Sequence, residues 1–217
     1  SGGSLGSAVF AALLADQRSG PRNLRCNAET SALNDISKAV LSEDYLAPAV
    51  AATLYPDLVQ RILPVAIGPF DRARALETAW ERAWRKYAGS NRFAEPVDRL
   101  WTNAGERWQP SLLLNATWVE TGKRLIASDL RVQPRADEIV EFADVEDLHH
   151  FYDRQALPLS TAVHVSARFT YVSPAGSIVR NGEIHGHAVD GGYFENSGTT
   201  TALEVIKTVD LLAAKDP

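Results

Sequence analysis

Ser1-Gly2-Gly3-Ser4-Leu5-Gly6 leads, through Ser7, into Ala8-Val9-Phe10-Ala11-Ala12-Leu13-Leu14-Ala15. The second stretch is apolar on every side, which predicts a buried helix. The first is a Gly/Ser turn at the N-terminus of that helix. A serine held in such a turn has the local chemistry of a nucleophile elbow. Glycines permit the tight backbone, and the helix N-terminus offers amide donors to a developing oxyanion. The literal G-x-S-x-G pattern occurs as Gly2-Gly3-Ser4-Leu5-Gly6. The plainer reading of the same residues is a linker-like start.

Working outward, residues 29 to 63 read as mostly helical, with breaks at Pro48 and Pro56. A helix is predicted from Asp71 as N-cap, with Leu76, Ala79, Trp80, Ala83, Trp84 and Tyr87 on one apolar stripe. Glu77, Glu81, Arg82 and Arg85 fall elsewhere on its surface, with Glu81 and Arg85 at the favourable i,i+4 spacing. Beyond Pro110 the pattern changes to strands. Leu112 to Val119 and Arg124 to Ser128 flank a Thr121-Gly122 turn. Short helices are expected near 145 to 152 and from Ser160 to about Arg168. Ile178 to Arg180 and Glu183 to Val189 flank Asn181-Gly182, a strong hairpin signal. Residues 197 to 214 read as a final amphipathic helix. Mixed strands and helices favour an α/β class, and no linker divides residues 1–217 into two domains.

Composition narrows the function. The 217 residues carry 45% hydrophobic and 23% charged side chains, which excludes disorder as a whole-chain reading. A net charge of −5 lacks the basic stripe of a nucleic-acid binder, so no nucleic-acid partner is expected. One Cys excludes an internal disulfide and a multi-cysteine zinc site. The apolar run Ala8 to Ala15 is far short of the roughly 18 residues of a membrane span. There is no Met at all. Together with the mid-phrase opening, this leads us to expect that Ser1 is a cut end.

The second chemical locus is Val189-Asp190-Gly191-Gly192-Tyr193-Phe194-Glu195-Asn196-Ser197-Gly198. Asp190 ends an apolar strand, and two glycines turn the chain away from it. That leaves a carboxylate at a sheet edge, although an Asp-Gly turn held by its own backbone explains the pattern equally well.

Taken together, Ser1 to Gly6, Asp190-Gly191-Gly192 and the segments between them resemble the patatin-like phospholipases, relatives of the cytosolic phospholipase A2 catalytic domain. Ser160-Thr161-Ala162-Val163-His164-Val165-Ser166-Ala167-Arg168-Phe169 resembles the family's small-residue segment, with Thr170 where Pro is usual. Leu112 to Gly122, with Asn115-Ala116-Thr117, resembles an internal strand and turn. The likeness covers residues 1 to about 206.

The resemblance implies a three-layer α/β/α, lysophospholipase-like fold over 1–217. It lacks its N-terminal strand and Gly-rich loop and carries a mainly helical insertion at about 43–110. It implies a lipid acyl hydrolase acting on phospholipids or other acyl lipids at a membrane surface. Ser1 would be the nucleophile and Asp190 the base, with Gly2, Gly191 and Gly192 as oxyanion and turn residues. No metal or other cofactor is called for. Ser4, one helical turn later, is expected to cap the helix.

Two other classes stay open. An α/β-hydrolase triad would take His185 or His187 as base and Asp129 or Asp144 as acid. A degenerate module would bind without catalysing, and an acyltransferase would differ from a hydrolase only in its acceptor. His149, His150 and His164 read as structural. The five tryptophans read as packing residues, with a lipid-facing lid over 43–110 as the other reading.

Overall fold

The computed structural model describes residues 2–16, 28–57, 62, 72–102, 108–133, 142–152, 156–170 and 172–215. Six α-helices lie among them. They are α1 (Gly2–Asp16), α2 (Ala28–Leu41), α3 (Leu46–Ala52), α4 (Arg72–Ala88), α5 (Leu159–Ser166) and α6 (Thr199–Lys215). Five strands form one mixed sheet in the order β3-β2-β1-β5-β4. They are β1 (Leu113–Trp118), β2 (Arg124–Ser128), β3 (Val145–Asp147), β4 (Gly176–Arg180) and β5 (Glu183–Asp190). The α/β class is as expected.

Turn chemistry fixes the two hairpins. Gly122 takes φ 70° between β1 and β2, and Asn181 and Gly182 take 55° and 82° between β4 and β5. Positive φ at both central residues matches the right-handed strand twist. β1 pairs antiparallel with β2 and β5, while β2 and β3 run parallel.

Alternation along β1 separates the two faces. Leu114, Ala116 and Trp118 join Leu125 and Ala127 of β2 in the main core with α1, α4 and α5. Leu113 packs on the other face with Ile126, Val132 and Val145. α6 also lies on that second face, where Thr201 Oγ1 accepts from Asn115 Nδ2 at 2.9 Å. No helix among the described residues is long and apolar enough to cross a membrane.

Several expectations change. Residues 145–147 are a strand, because Val145 to Asp147 pair with Arg124 to Ile126. Only 148–150 turn helically, capped by Asp147 Oδ1 on the His149 amide at 2.9 Å. Pro48 breaks nothing. Asp44 Oδ1 accepts from the Leu46 and Ala47 amides, each at 3.0 Å, so Pro48 falls in the first turn of α3, where no N–H is needed. The interruption is at 42–45. Pro56 lies in a π-helical turn, Thr53–Asp57.

Glu77 and Glu81 are buried rather than on the surface. Arg74 of the same helix reaches both, at 3.0 and 2.9 Å. Arg85 turns instead to Asn91, at 2.7 Å. α4 packs against α2, α3 and α5, so Glu77 and Glu81 meet protein, while Arg74, Arg82, Arg85 and Lys86 stay exposed. Trp80, Trp84 and Trp118 pack in the core as expected, but Trp108 is exposed. Phe10 of α1 is exposed as well, and the final helix buries only Thr201 and Glu204. Ser1, Cys26 and Asp71 lie outside the described residues.

Candidate functional site

The site is built around the carbonyl of Asn115 in β1. From one side comes the turn after β5. Asp190 pairs with Ala116 at the end of the strand. Its amide donates to the Arg168 carbonyl at 3.0 Å, and Thr117 Oγ1 donates to its carbonyl at 3.1 Å. Its carboxylate is buried, with Oδ1 accepting from the Gly192 amide at 2.7 Å. The side chain therefore caps the short 3-10 turn Gly191–Tyr193.

Close approach explains both glycines. A Cβ on Gly191 would sit 2.2 Å from the Asn115 carbonyl oxygen. One on Gly192 would sit 2.7 Å from Asn196 Oδ1 and 3.0 Å from Asp190 Oδ1. At Gly191 no side chain fits without moving the backbone, whereas at Gly192 the Asn196 and Asp190 side chains would have to give way.

From the other side comes the first turn of α1. Ser4 Oγ is 2.7 Å from Ser166 Oγ at the end of α5, and Ser166 Oγ donates to the Asn115 carbonyl. Ser4 thus ties α1 to α5 instead of capping its own helix. Gly2 opens α1 in an exposed position where a Cβ would meet nothing within 4 Å. The first amides of a helix have no intrahelical acceptor, so they remain donors for an anion at this end. Ser1 itself lies outside the described residues.

A cavity of about 910 Å³ runs away from this junction, with Gly3, Ser4, Gly191 and Gly192 at one part of its wall. Glu195 also lines it. Its carboxylate accepts from the Thr200 amide and hydroxyl at 3.0 and 2.7 Å. Burial pushes that carboxyl up, but the Thr200 hydrogen bonds and the Arg124 charge outweigh burial and hold it below 4.5.

The triad residues do not converge. His187 Nδ1 lies 2.7 Å from Glu120 on an exposed sheet surface. The His187 amide, then its ring, hold the Glu120 carboxyl below its ordinary value. His185 lies beside Phe151, with ring centroids 6.0 Å apart. No hydrogen bond joins either histidine to a serine among the described residues. Asp129 is occupied by the Ser111 hydroxyl and the Leu112 amide, at 2.8 and 3.1 Å. Asp144 sits at φ 49°, and its carbonyl accepts from the Arg124 amide at 3.0 Å.

His164 does stand in a Ser-His-Glu line, 3.0 Å from Glu77 and 2.7 Å from Ser173. His164 is fully buried and Ser173 is 2% exposed, so no substrate reaches the hydroxyl. This line is a structural tie between α4, α5 and the following loop. No group of three or more His, Cys, Asp or Glu side chains that could hold a metal ion occurs among the described residues.

Sequence reasoning missed the junction itself. Asn115 and Ser166 join the two motifs, and the available signal was an Asn inside an otherwise strand-forming run, where Asn is disfavoured. No protein-family model, curated protein or solved structure matches this chain.

Proposed function

We propose that the chain is the latter part of a patatin-like catalytic domain, a serine acyl hydrolase that cleaves ester bonds of phospholipids or other acyl lipids. One observation carries the reading. The first turn of α1 and the Asp190-Gly191-Gly192 turn, remote in sequence, meet around one carbonyl and line one cavity. The finer fold reading goes with it: three layers, a strand and a Gly-rich loop before Ser1, and the helical insertion at 43–110.

In this mechanism Ser1 Oγ attacks the ester carbonyl carbon while the Asp190 carboxylate takes its proton, directly or through one water. The oxyanion is held by amides at the start of α1, Gly2 first. The C–O bond to the alcohol then breaks, and the alkoxide leaves with the proton from Asp190. A water attacks the acyl-serine, gives its proton to Asp190, and releases the fatty acid as Ser1 regains a proton. The Gly192 amide bond to Asp190 Oδ1 suits this role, because it helps to orient the carboxylate.

The test is labelling of the natural polypeptide, translated from its own start, with a fluorophosphonate. Ester hydrolysis on phosphatidylcholine vesicles is measured beside it. We expect label on Ser1 and a loss of about 10²–10⁴-fold in hydrolysis for Asp190→Asn. A folded protein with Ser1 unlabelled and no esterase activity is instead a binding module. Full activity in Asp190→Asn removes the dyad.

A further inference from the structure

β4 ends the sheet, and its outer edge meets one hydroxyl. On its inner side it pairs with β5, from Gly176 opposite Ala188 to Arg180 opposite Glu183. No strand among the described residues lies beyond it. The irregularity in this pair falls on β5. Ile178 faces Gly186 and Val179 faces Ile184, so His185 is the extra residue. β4 itself keeps the regular antiparallel alternation, in which every second residue turns its amide and carbonyl to the same side. Ser177 and Val179 are the two that turn outward.

Natural sheet edges are blunted by charge, by proline, by a bulge or by a cover. Gly176-Ser177-Ile178-Val179 has neither charge nor proline, and the bulge is on the neighbouring strand. Ser177 and Val179 are exposed. The cover is Tyr152, which follows the helical turn at 148–150 and packs its ring against the main core. Its hydroxyl donates to the Ser177 carbonyl at 3.1 Å and accepts from the Val179 amide at 3.4 Å. A hydroxyl holds one donor and two acceptor sites. Tyr152 thus offers the edge what one residue of an added strand would offer, a donor for one carbonyl and an acceptor for the next outward amide. Arg180 Nη1 lies 3.4 Å from His150 Nε2, so the same segment also flanks the end of β4.

We propose that the outer edge of β4 is a self-pairing surface for a second copy of this chain, held shut by the Tyr152 hydroxyl. The register selects that partner. Two copies of β4 laid antiparallel about Ile178 set Ser177 of each opposite Val179 of the other. Opposite residues whose main-chain groups face each other exchange both N–H···O bonds. Each copy then uses the Ser177 carbonyl and the Val179 amide, the two groups that Tyr152 holds. The contact is two-fold and uses one patch twice, as closed dimers do. Arg180 of each copy falls opposite Gly176 of the other, so no like charges meet across the pair. Latch and pairing compete for the same two groups, and only one of them is satisfied at a time. Nothing at this edge depends on whether the chain hydrolyses esters.

Tyr152→Phe isolates the latch, because the ring stays and only the oxygen goes. Sedimentation velocity over a concentration series compares this variant with the unaltered 217-residue chain. The variant should dimerise at least about tenfold more tightly, since every dimer opens two latches. In the variant, protection of the Ser177 amide against hydrogen exchange should rise with concentration, as it does when a strand pairs with an amide. The Trp118 amide, already bonded to the Lys123 carbonyl, should show no such rise. Adding Val179→Pro to Tyr152→Phe should restore the mass of the unaltered chain. The Val179 amide faces outward, so proline there costs no bond to β5 and blocks the edge.

Equal association in the variant and the unaltered chain overturns the proposal. So does a dimer in which exchange at Ser177 is unchanged, because its contact lies elsewhere, or a dimer that survives Val179→Pro. The exchange measurement decides alone if the proline variant fails to fold. None of these readouts involves ester hydrolysis, so an edge that does not pair overturns this inference alone. Failed labelling at Ser1 overturns the hydrolase reading alone.

Discussion

On one face of the sheet, Leu114, Ala116, Leu125 and Ala127 pack against α1, α4 and α5, with Trp84, Phe93 and Leu159 buried among them. On the other face, α6 buries Thr201 and Glu204 out of its 17 residues, and leaves Leu203, Ile206, Val209 and Leu212 exposed. The first face is held by apolar contact. The second is held by a polar anchor. Arg124, 1% exposed, meets Glu204 at 2.6 Å, Thr201 Oγ1 at 2.9 Å and the Ala143 carbonyl at 2.7 Å. Its guanidinium also lies over the Phe194 ring at 5.1 Å. α6 is thus held by polar contacts at Thr201 and Glu204 while its apolar stripe faces outward. The contrast also separates what a mutation should do on each face.

The largest effect is expected where packing is tightest. Trp84 is fully buried, stacks on Phe93 at 4.9 Å and donates to Ser90 Oγ at 2.8 Å. Trp84→Ala should cost about 3–5 kcal/mol in urea unfolding. On the second face the anchor is the sensitive point. Glu204→Ala strands a buried Arg124 charge and should cost about 3 kcal/mol. Arg124→Met in the same background should recover part of that loss, because it removes the unpaired charge. If Glu204→Ala costs less than about 1 kcal/mol, α6 is held by something other than this pair and the contrast fails.

Acid should act on the first face. Glu77 is 5% exposed, and burial pushes its carboxyl up. The His164 hydrogen bond and charge, then Arg74 and Arg168, outweigh burial and hold it below 4.5. A carboxyl lowered in the fold contributes stability that is present above its unfolded value and lost as the pH falls through the folded one. Between about pH 5 and pH 3 the wild type should therefore lose more stability than Glu77→Gln. The urea midpoint followed against pH reads this directly. Equal slopes would mean that the carboxylate is not tied to His164.

The two faces were not equally legible in the sequence. Local chemistry announced the hairpin at Asn181-Gly182 and the strands beside Gly122, because positive φ has few sequence solutions. The apolar stripe of α4 was equally plain. The burial of Glu77 and Glu81 was not. It depends on His164, Ser160 and Thr161 of α5, which reach α4 only through tertiary packing. Val145 to Asp147 read as helix because three residues show no period, and only the parallel pairing with β2 makes them a strand. In the candidate site, the need for Gly191 and Gly192 was visible as a turn. The reason for Gly191, the carbonyl of Asn115, was not, because that contact joins residues far apart in the chain.

The smallest predicted effect is the most direct measure of the second face. Val209 lies on the outward stripe of α6 and is 56% exposed. A side chain that stays in water in the folded state loses little when made polar, so Val209→Ser should change the stability of the 217-residue chain by no more than about 0.5 kcal/mol. The same kind of change at Val163, fully buried in α5, removes buried methyls and sets a hydroxyl among apolar neighbours. It should cost about 2 kcal/mol or more. Urea titrations of the two variants, run at low protein concentration, give the ratio. A cost at Val209 approaching that at Val163 would mean that the α6 stripe is already covered in the 217-residue chain, and the asymmetry between the faces would disappear. A near-zero cost leaves the stripe as open apolar surface.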